Sequence, residues 1–207
     1  MASPWDFGWQ QLFGAAQLLT TIVIAGVTYR SFQKWKREKL EEKRLDIALE
    51  ALAVAYDTET VFKRIRHIFA SAAELATIPK PDGMSDSDFD VRKTFIATLH
   101  RVDNEREFFE RVAKLRPRLI AVFGRATEPA FEQLWMARNR VIVAAQMLIS
   151  TPRHSTRDDL RTQLEGAVWD MGLDHEKGGF EVTKHYSFFI AEIERLCKPV
   201  IDGKWKG

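Results

Sequence analysis

The sequence predicts an all-α protein: an N-terminal transmembrane helix that continues into a charged helical stalk and then a cytoplasmic helical bundle. Three observations carry that expectation. The run from Phe7 to Tyr29 holds no charged residue, a dense basic flank follows it, and the later segments repeat their apolar residues every three or four positions without the alternation of a strand.

The first element is the span, residues 7–29, preceded by a short outside segment, residues 1–6. It meets the length of about 20 mostly apolar residues that a helix needs to cross a hydrocarbon core. Leu12, Phe13, Leu18, Leu19, Ile22, Val23, Ile24 and Val27 together favour insertion by roughly 2–5 kcal/mol, and Gln10, Gln11, Gln17, Thr20, Thr21 and Thr28 oppose it. Trp5 and Trp9 on one side, and Tyr29, Phe32 and Trp35 on the other, suit the two interfacial belts. The start MASPWDF has no basic n-region, which argues against a cleaved secretory signal, and the paired aromatic girdles argue against the buried helix of a soluble core.

Within the span, Gln10, Gly14, Gln17, Thr21, Ala25 and Thr28 fall on one helical stripe. Small residues let backbones approach, and amides and hydroxyls hydrogen-bond across helices for about 0.6 kcal/mol per contact, so the stripe either serves self-association or pairing with another membrane subunit or consists of short polar residues that the span merely tolerates.

The stalk follows at residues 30–44. Arg30, Lys34, Lys36, Arg37 and Lys39 crowd its start, whereas the segment before the span carries Asp6 and no Lys or Arg, so the positive-inside rule places the N-terminus outside and the C-terminal domain in the cytoplasm. Beside anionic headgroups each such cation contributes about 1 kcal/mol, but the preferred reading is a solvated helix whose charges set orientation without a specific lipid. The stretch lacks Pro and Gly and mixes acids with bases at helical spacing, which keeps it helical.

The bundle occupies residues 45–199, with a tail at 200–207. Leu45, Leu49, Leu52, Tyr56, Val61, Ile65, Ile68, Ala72 and Leu75 predict one amphipathic helix, broken at Pro79, Pro81 and Gly83, after which Ser85 offers a cap. Val91, Phe95, Leu99 and Val102 mark a further helix; Phe108, Phe109, Val112 and Leu115 mark another, interrupted by Pro117. Thr127 is placed to cap a helix with Pro129 in its first turn that runs through Leu148, and Pro152 ends it. Residues 155–169 are helical in pattern, residues 172–179 form a polar loop, and Val182, Tyr186, Phe189, Ile193 and Leu196 predict a last helix stopped by Pro199.

Composition bounds the rest. With 207 residues, the part beyond the span is long enough for one compact domain. A net charge of +2 gives no global signal for nucleic acid, and none is predicted as a partner. Cys197 is the only cysteine, which rules out an intramolecular disulfide and agrees with a reducing cytoplasm.

Enzyme signatures are absent: there is no phosphate-binding glycine loop, nucleophile elbow or His-Glu-x-x-His zinc site. The Glu-x-x-His pairs of a carboxylate-bridged metal bundle are missing too, since Arg64, Ala97, Thr151, Gly172 and Val182 stand three residues before the five histidines. No catalytic residue, cofactor or metal is therefore expected. Two clusters remain. Asp170, Asp174, His175 and Glu176 gather oxygen and imidazole ligands in a glycine-rich loop, where polar turn residues commonly collect with no ligand. Arg111, Lys114, Arg116, Arg118 and Arg125 form a basic set that either holds a phosphate or acidic partner or is a solvated face paired with Glu107 and Glu110.

The span, the stretch Trp35-Lys36-Arg37-Glu38-Lys39, the stretches Glu107-Phe108-Phe109 and Leu115-Arg116-Pro117-Arg118 leading to Gly124, and Ile193-Glu194 through Cys197-Lys198-Pro199 together resemble a group of uncharacterised bacterial proteins. The resemblance implies an N-terminally anchored helical protein and brings no catalytic residues. The expectation is thus a single-pass protein of a bacterial inner membrane, with the lipid bilayer and either a second copy or another protein as partners. Its cytoplasmic bundle serves interaction or sensing, and the alternative is an oligomerising effector that perturbs the bilayer or forms a pore.

Overall fold

The computed structural model describes residues 4–151, 158–170 and 179–204, with the side chains at positions 4–7, 10–11 and 179–180 outside the described set. The helices are α1 (Pro4–Ile65), α2 (Ala72–Ala76), α3 (Asp86–Asn104), α4 (Arg106–Phe123), α5 (Glu128–Ser150), α6 (Asp158–Val168) and α7 (Gly179–Ile201), with one 3-10 turn, Arg125–Thr127, before α5. Among the described residues there is no strand, and the all-helical expectation holds. The chain divides into two compact units, Met1–Leu45 and Asp46–Gly207.

Among the described residues the first unit holds only the N-terminal part of α1, residues 4–45, and the rest of that helix belongs to the second unit. Proline opens the helix, where its missing N–H costs nothing, and no further proline interrupts the 62 residues. Among the described residues α1 is the one helix long and apolar enough to cross a membrane, and no residue of its most apolar stretch is buried. Its large apolar side chains from Trp9 to Trp35 expose between 54% and 71% of their surface.

The second unit is a helical bundle around α5, which packs against α7, α6 and α3. The end of α1 meets α4 through Phe62 and Phe109, at 6.4 Å and edge to face, and meets α7 through Phe62 and Tyr186, stacked at 5.0 Å. Phe131 of α5 sits edge to face on Phe189 of α7, and Phe95 of α3 stacks on Trp169 at 4.9 Å. These aromatic contacts tie α1, α3, α4, α5 and α7 into one core, whose fully buried members include Leu115, Leu119, Leu134, Val141 and Ile193. Ile78, Ile96 and Ala97 form a smaller cluster under α2.

Several expected details change. The predicted helix over Leu45 to Leu75 is two helices, because α1 ends at Ile65, where the Arg66 carbonyl instead accepts the Asp170 N–H at 2.8 Å. A separate α2 starts at Ser71, whose hydroxyl accepts the Glu74 N–H at 3.1 Å; the string Ser71-x-x-Glu74 is the local signal for that start. The buried face of α1 matches the expected row only in part. Of that row Leu52, Val61 and Ile65 are buried but Leu45, Leu49, Tyr56 and Ile68 are exposed, and the buried face is completed by Ala48, Ala51, Ala55, Thr58 and Phe62, whose smaller members let the neighbouring helices approach closely. Val91, expected on a buried face, is exposed.

Prolines break less than expected. Pro117 lies inside α4 and Pro199 inside α7. An interior proline costs about 3 kcal/mol, and burial of Leu115 and Leu119 on either side of Pro117, at roughly 1.5–3 kcal/mol each, outweighs it. Pro199 sits in the last turn, where few backbone bonds remain to lose. Ser85 caps α3 as expected, accepting the Asp88 N–H at 3.1 Å. Thr127 precedes α5 but does not cap it: its hydroxyl donates to the Gly124 carbonyl at 3.0 Å, and its backbone is already helical.

Candidate interaction surfaces

Of the stripe on α1, Gly14, Gln17, Thr21, Ala25 and Thr28 are exposed, and the Gln10 side chain lies outside the described residues. A Cβ built on Gly14 meets nothing within 4 Å. The Thr20 and Thr21 hydroxyls donate to the Ala16 and Gln17 carbonyls, each at 2.8 Å, so their protons are spent within the helix and only their oxygens remain to accept. Of the flanking cations, Lys34 lies 3.8 Å from Glu38 and Lys39 2.6 Å from Glu42, both as exposed pairs one turn apart.

The second basic set is used differently from its expected pairing. Arg111 reaches Asp57 at 3.3 Å and Arg118 reaches Glu50 at 2.7 Å, both across to α1, while Arg116 lies 3.8 Å from Glu128 of α5. These partners come from neighbouring helices rather than from Glu107 and Glu110 of the same one. Lys114 and Arg125 have no acidic partner among the described residues. Nearby, the Arg138 guanidinium stacks 4.9 Å over the Phe109 ring, and burial pushes its pKa down.

Asp170 is exposed, with its N–H held by the Arg66 carbonyl; Asp174, His175 and Glu176 lie outside the described residues. Among the described residues no group of three or more His, Cys, Asp or Glu side chains is placed to hold a metal ion.

Two arginines that sequence reasoning passed over organise the loops. Arg66 is 1% exposed, and its guanidinium donates to the carbonyls of Gly166 at 2.9 Å, Ala167 at 3.1 Å and Trp169 at 3.1 Å, and to the Thr183 hydroxyl at 3.3 Å. It thereby satisfies the open carbonyls at the end of α6 and complements that helix's negative end. Burial pushes its pKa down, with Asp170 opposing.

Arg101 does the same for the loop 66–71. Its Nε and Nη2 hold the two Glu74 oxygens at 2.5 and 2.8 Å, its Nη1 donates to the His67 carbonyl, and its Nη2 donates to the Phe69 carbonyl at 2.9 Å. The bonds to Arg101, ahead of the backbone bond from Ser71, hold the Glu74 carboxyl below its usual range. Beside this loop lies an open groove of about 410 Å³ lined by Thr60, Lys63, Arg64 and His67 from α1 and its exit, and by Phe69, Ser71, Glu74 and Arg101 opposite. No local motif announces it, because Arg101 lies more than thirty residues from the carbonyls it holds.

Comparisons of the chain with protein-family models, with curated proteins and with solved structures return no match.

Proposed function

We propose that the chain is a single-pass protein of a bacterial inner membrane whose helical unit, Asp46–Gly207, is a cytoplasmic interaction or sensor module without catalytic chemistry. One observation carries the reading: the apolar stretch of α1 is wholly unburied. A large apolar side chain contributes roughly 1.5–3 kcal/mol when withdrawn from water, so the exposed residues from Trp9 to Trp35 represent a driving force larger than the 5–15 kcal/mol that typically stabilises a domain. A bilayer satisfies that demand, and the uncharged length, aromatic ends and basic flank of the helix suit it. The stripe through Gly14, Gln17 and Thr21 is the face on which a second copy or another membrane helix would pack. A pore lined by that stripe draws less support, since the Thr21 proton is held by the helix's own Gln17 carbonyl.

Alkaline carbonate extraction of membranes tests the reading. The wild-type chain stays in the pellet, and Ile22→Arg, which adds about 2.5–3.5 kcal/mol against the span, moves into the supernatant. A wild-type chain released by carbonate refutes the anchor, and an Ile22→Arg chain that stays put refutes the energetics.

A further inference from the structure

We propose that residues 67–78 form a strap, latched by Arg101 over the outer face of α3, and that this strap opens as a unit while the main core stays folded.

α3 buries two faces. Phe95 and Val102 belong to the main core, whereas Ile96 and Ala97 form the smaller cluster with Ile78, against which Ala70, Leu75, Phe89 and Ile149 pack. Ala97 stands two residues beyond Phe95, about 200° around the helix, so it lies on the far side of α3 from the core. It is nonetheless fully buried. The strap supplies that cover, since α2 packs on α3 and Ile78 and Ala97 share one cluster.

The cover is lightly held. From His67 to Ser85 Ile78 is the one buried residue, and α2, inside the strap, buries none. A single aliphatic side chain contributes little beside the many that hold the main core. From Ser71 to Ile78 the backbone bonds are local: Leu75 N–H to the Ser71 carbonyl at 2.9 Å, Thr77 N–H to Glu74 at 3.1 Å and Ile78 N–H to Leu75 at 3.4 Å. The tie to the bundle is Arg101 of α3, which takes the Glu74 carboxylate at 2.5 and 2.8 Å and the carbonyls of His67 and Phe69. One side chain thus fastens the start of the strap and α2 together.

Both ends of the strap join parts that stay in place. Arg66 is fixed by the carbonyls of Gly166, Ala167 and Trp169, and Ser85 caps α3. Between strap and cap, Pro79, Pro81 and Gly83, the last at φ 81°, make a turn with no buried residue. Opening therefore breaks the Arg101 bonds and bares Ile78 and Ala97, and it leaves the helical bonds of α3 and the main core intact. That is the condition for sub-global opening.

The test places a thiol under the strap with Ala97→Cys in the full chain in neutral detergent. Maleimide labelling reads its accessibility, and the native Cys197, buried in the main core, is the internal reference. The new thiol should react at least about tenfold faster than Cys197 and at least about tenfold more slowly than in denaturant. Adding Arg101→Met should raise its rate about tenfold or more and leave Cys197 unchanged, and Glu74→Gln, which keeps a weaker bond, should raise it less. Amide exchange of Arg101→Met without the added thiol gives a second reading: peptides over residues 71–78 should exchange faster, and those of α5 and α7 should not. Three results overturn the strap. A new thiol as slow as Cys197 even with Arg101→Met makes the segment part of the main core. One as fast in the folded chain as in denaturant shows no latch, and equal acceleration of Cys197 or of α5 shows that Arg101 holds the whole unit.

Discussion

Replacing Arg66 with methionine should unlatch the end of α6 from the rest of the bundle. The substitution keeps the length of the side chain and removes every donor. Four acceptors lose a partner: the carbonyls of Gly166, Ala167 and Trp169 and the Thr183 hydroxyl. The Trp169 carbonyl and the Thr183 hydroxyl are part-buried, so water can replace the arginine there, but the contacts to Gly166 and Ala167 are buried. Two orphaned buried carbonyls cost roughly 2–6 kcal/mol. Relief of a desolvated cation offsets part of this, because burial already lowers the Arg66 pKa, with the charge of Asp170 opposing. The net expectation is a loss of about 3 kcal/mol, which for a unit of this size lowers the unfolding temperature by roughly 6–12 °C. Thermal unfolding of the full chain in a neutral detergent, followed by circular dichroism, reads the shift, and amide exchange should show α6 and the start of α7 opening first. Arg66→Lys separates charge from shape: an ammonium cannot fork to three carbonyls and should recover less than half of the loss. If Arg66→Met unfolds within about 1 °C of the wild type, or Arg66→Lys restores it fully, the capping argument is wrong.

Other expectations follow from the same geometry. Burial pushes the Cys197 thiol up to about 11, so maleimide at neutral pH should modify it roughly a hundredfold more slowly in the folded chain than in denaturant; equal rates would show the core open at α7. His185 is bonded through Nδ1 to Gln133, and burial first, then Arg140 and Lys184, hold its pKa below the usual imidazole value. Because the unfolded chain then binds the proton more readily than the fold, stability is fully present above about pH 6.5 and falls on acidification below it, and His185→Gln should flatten that fall in urea titrations. A slope that survives the substitution assigns the effect elsewhere. Combining Gly14→Leu with Gln17→Leu should reduce crosslinked oligomers in membranes, and unchanged crosslinking would remove the stripe as an assembly face.

Helical periodicity is a local property, and most helices were legible for that reason. The rows through Phe95 and Val102, Leu134 and Leu148, and Tyr186 and Ile193 each mark a helix whose apolar side the core buries. Short-range caps were legible where side chain and backbone lie three residues apart, as at Ser85. The same rules misjudged Pro117 and Pro199, because a proline's local penalty is weighed against burial that only packing supplies.

By itself the sequence determined the class of the fold, the uncharged apolar stretch of α1 with its basic flank, and the absence of recognised catalytic motifs. Tertiary structure alone decided where α1 stops and which of its faces is buried. Arg66 reaches carbonyls a hundred residues away, which leaves no trace in local spacing; the row Ala48, Ala51, Ala55 is itself spaced by three and four, but only the approach of other helices decides that it is buried and Leu45 and Leu49 are not. The candidate groove belongs to the same category. Lys63, Arg64, His67 and Phe69 are near neighbours in sequence, but their fixed arrangement depends on Arg101 and Glu74, brought to them by the packing of α2 against α3. Periodicity is written in the chain, whereas long-range hydrogen bonds exist only once the helices have met.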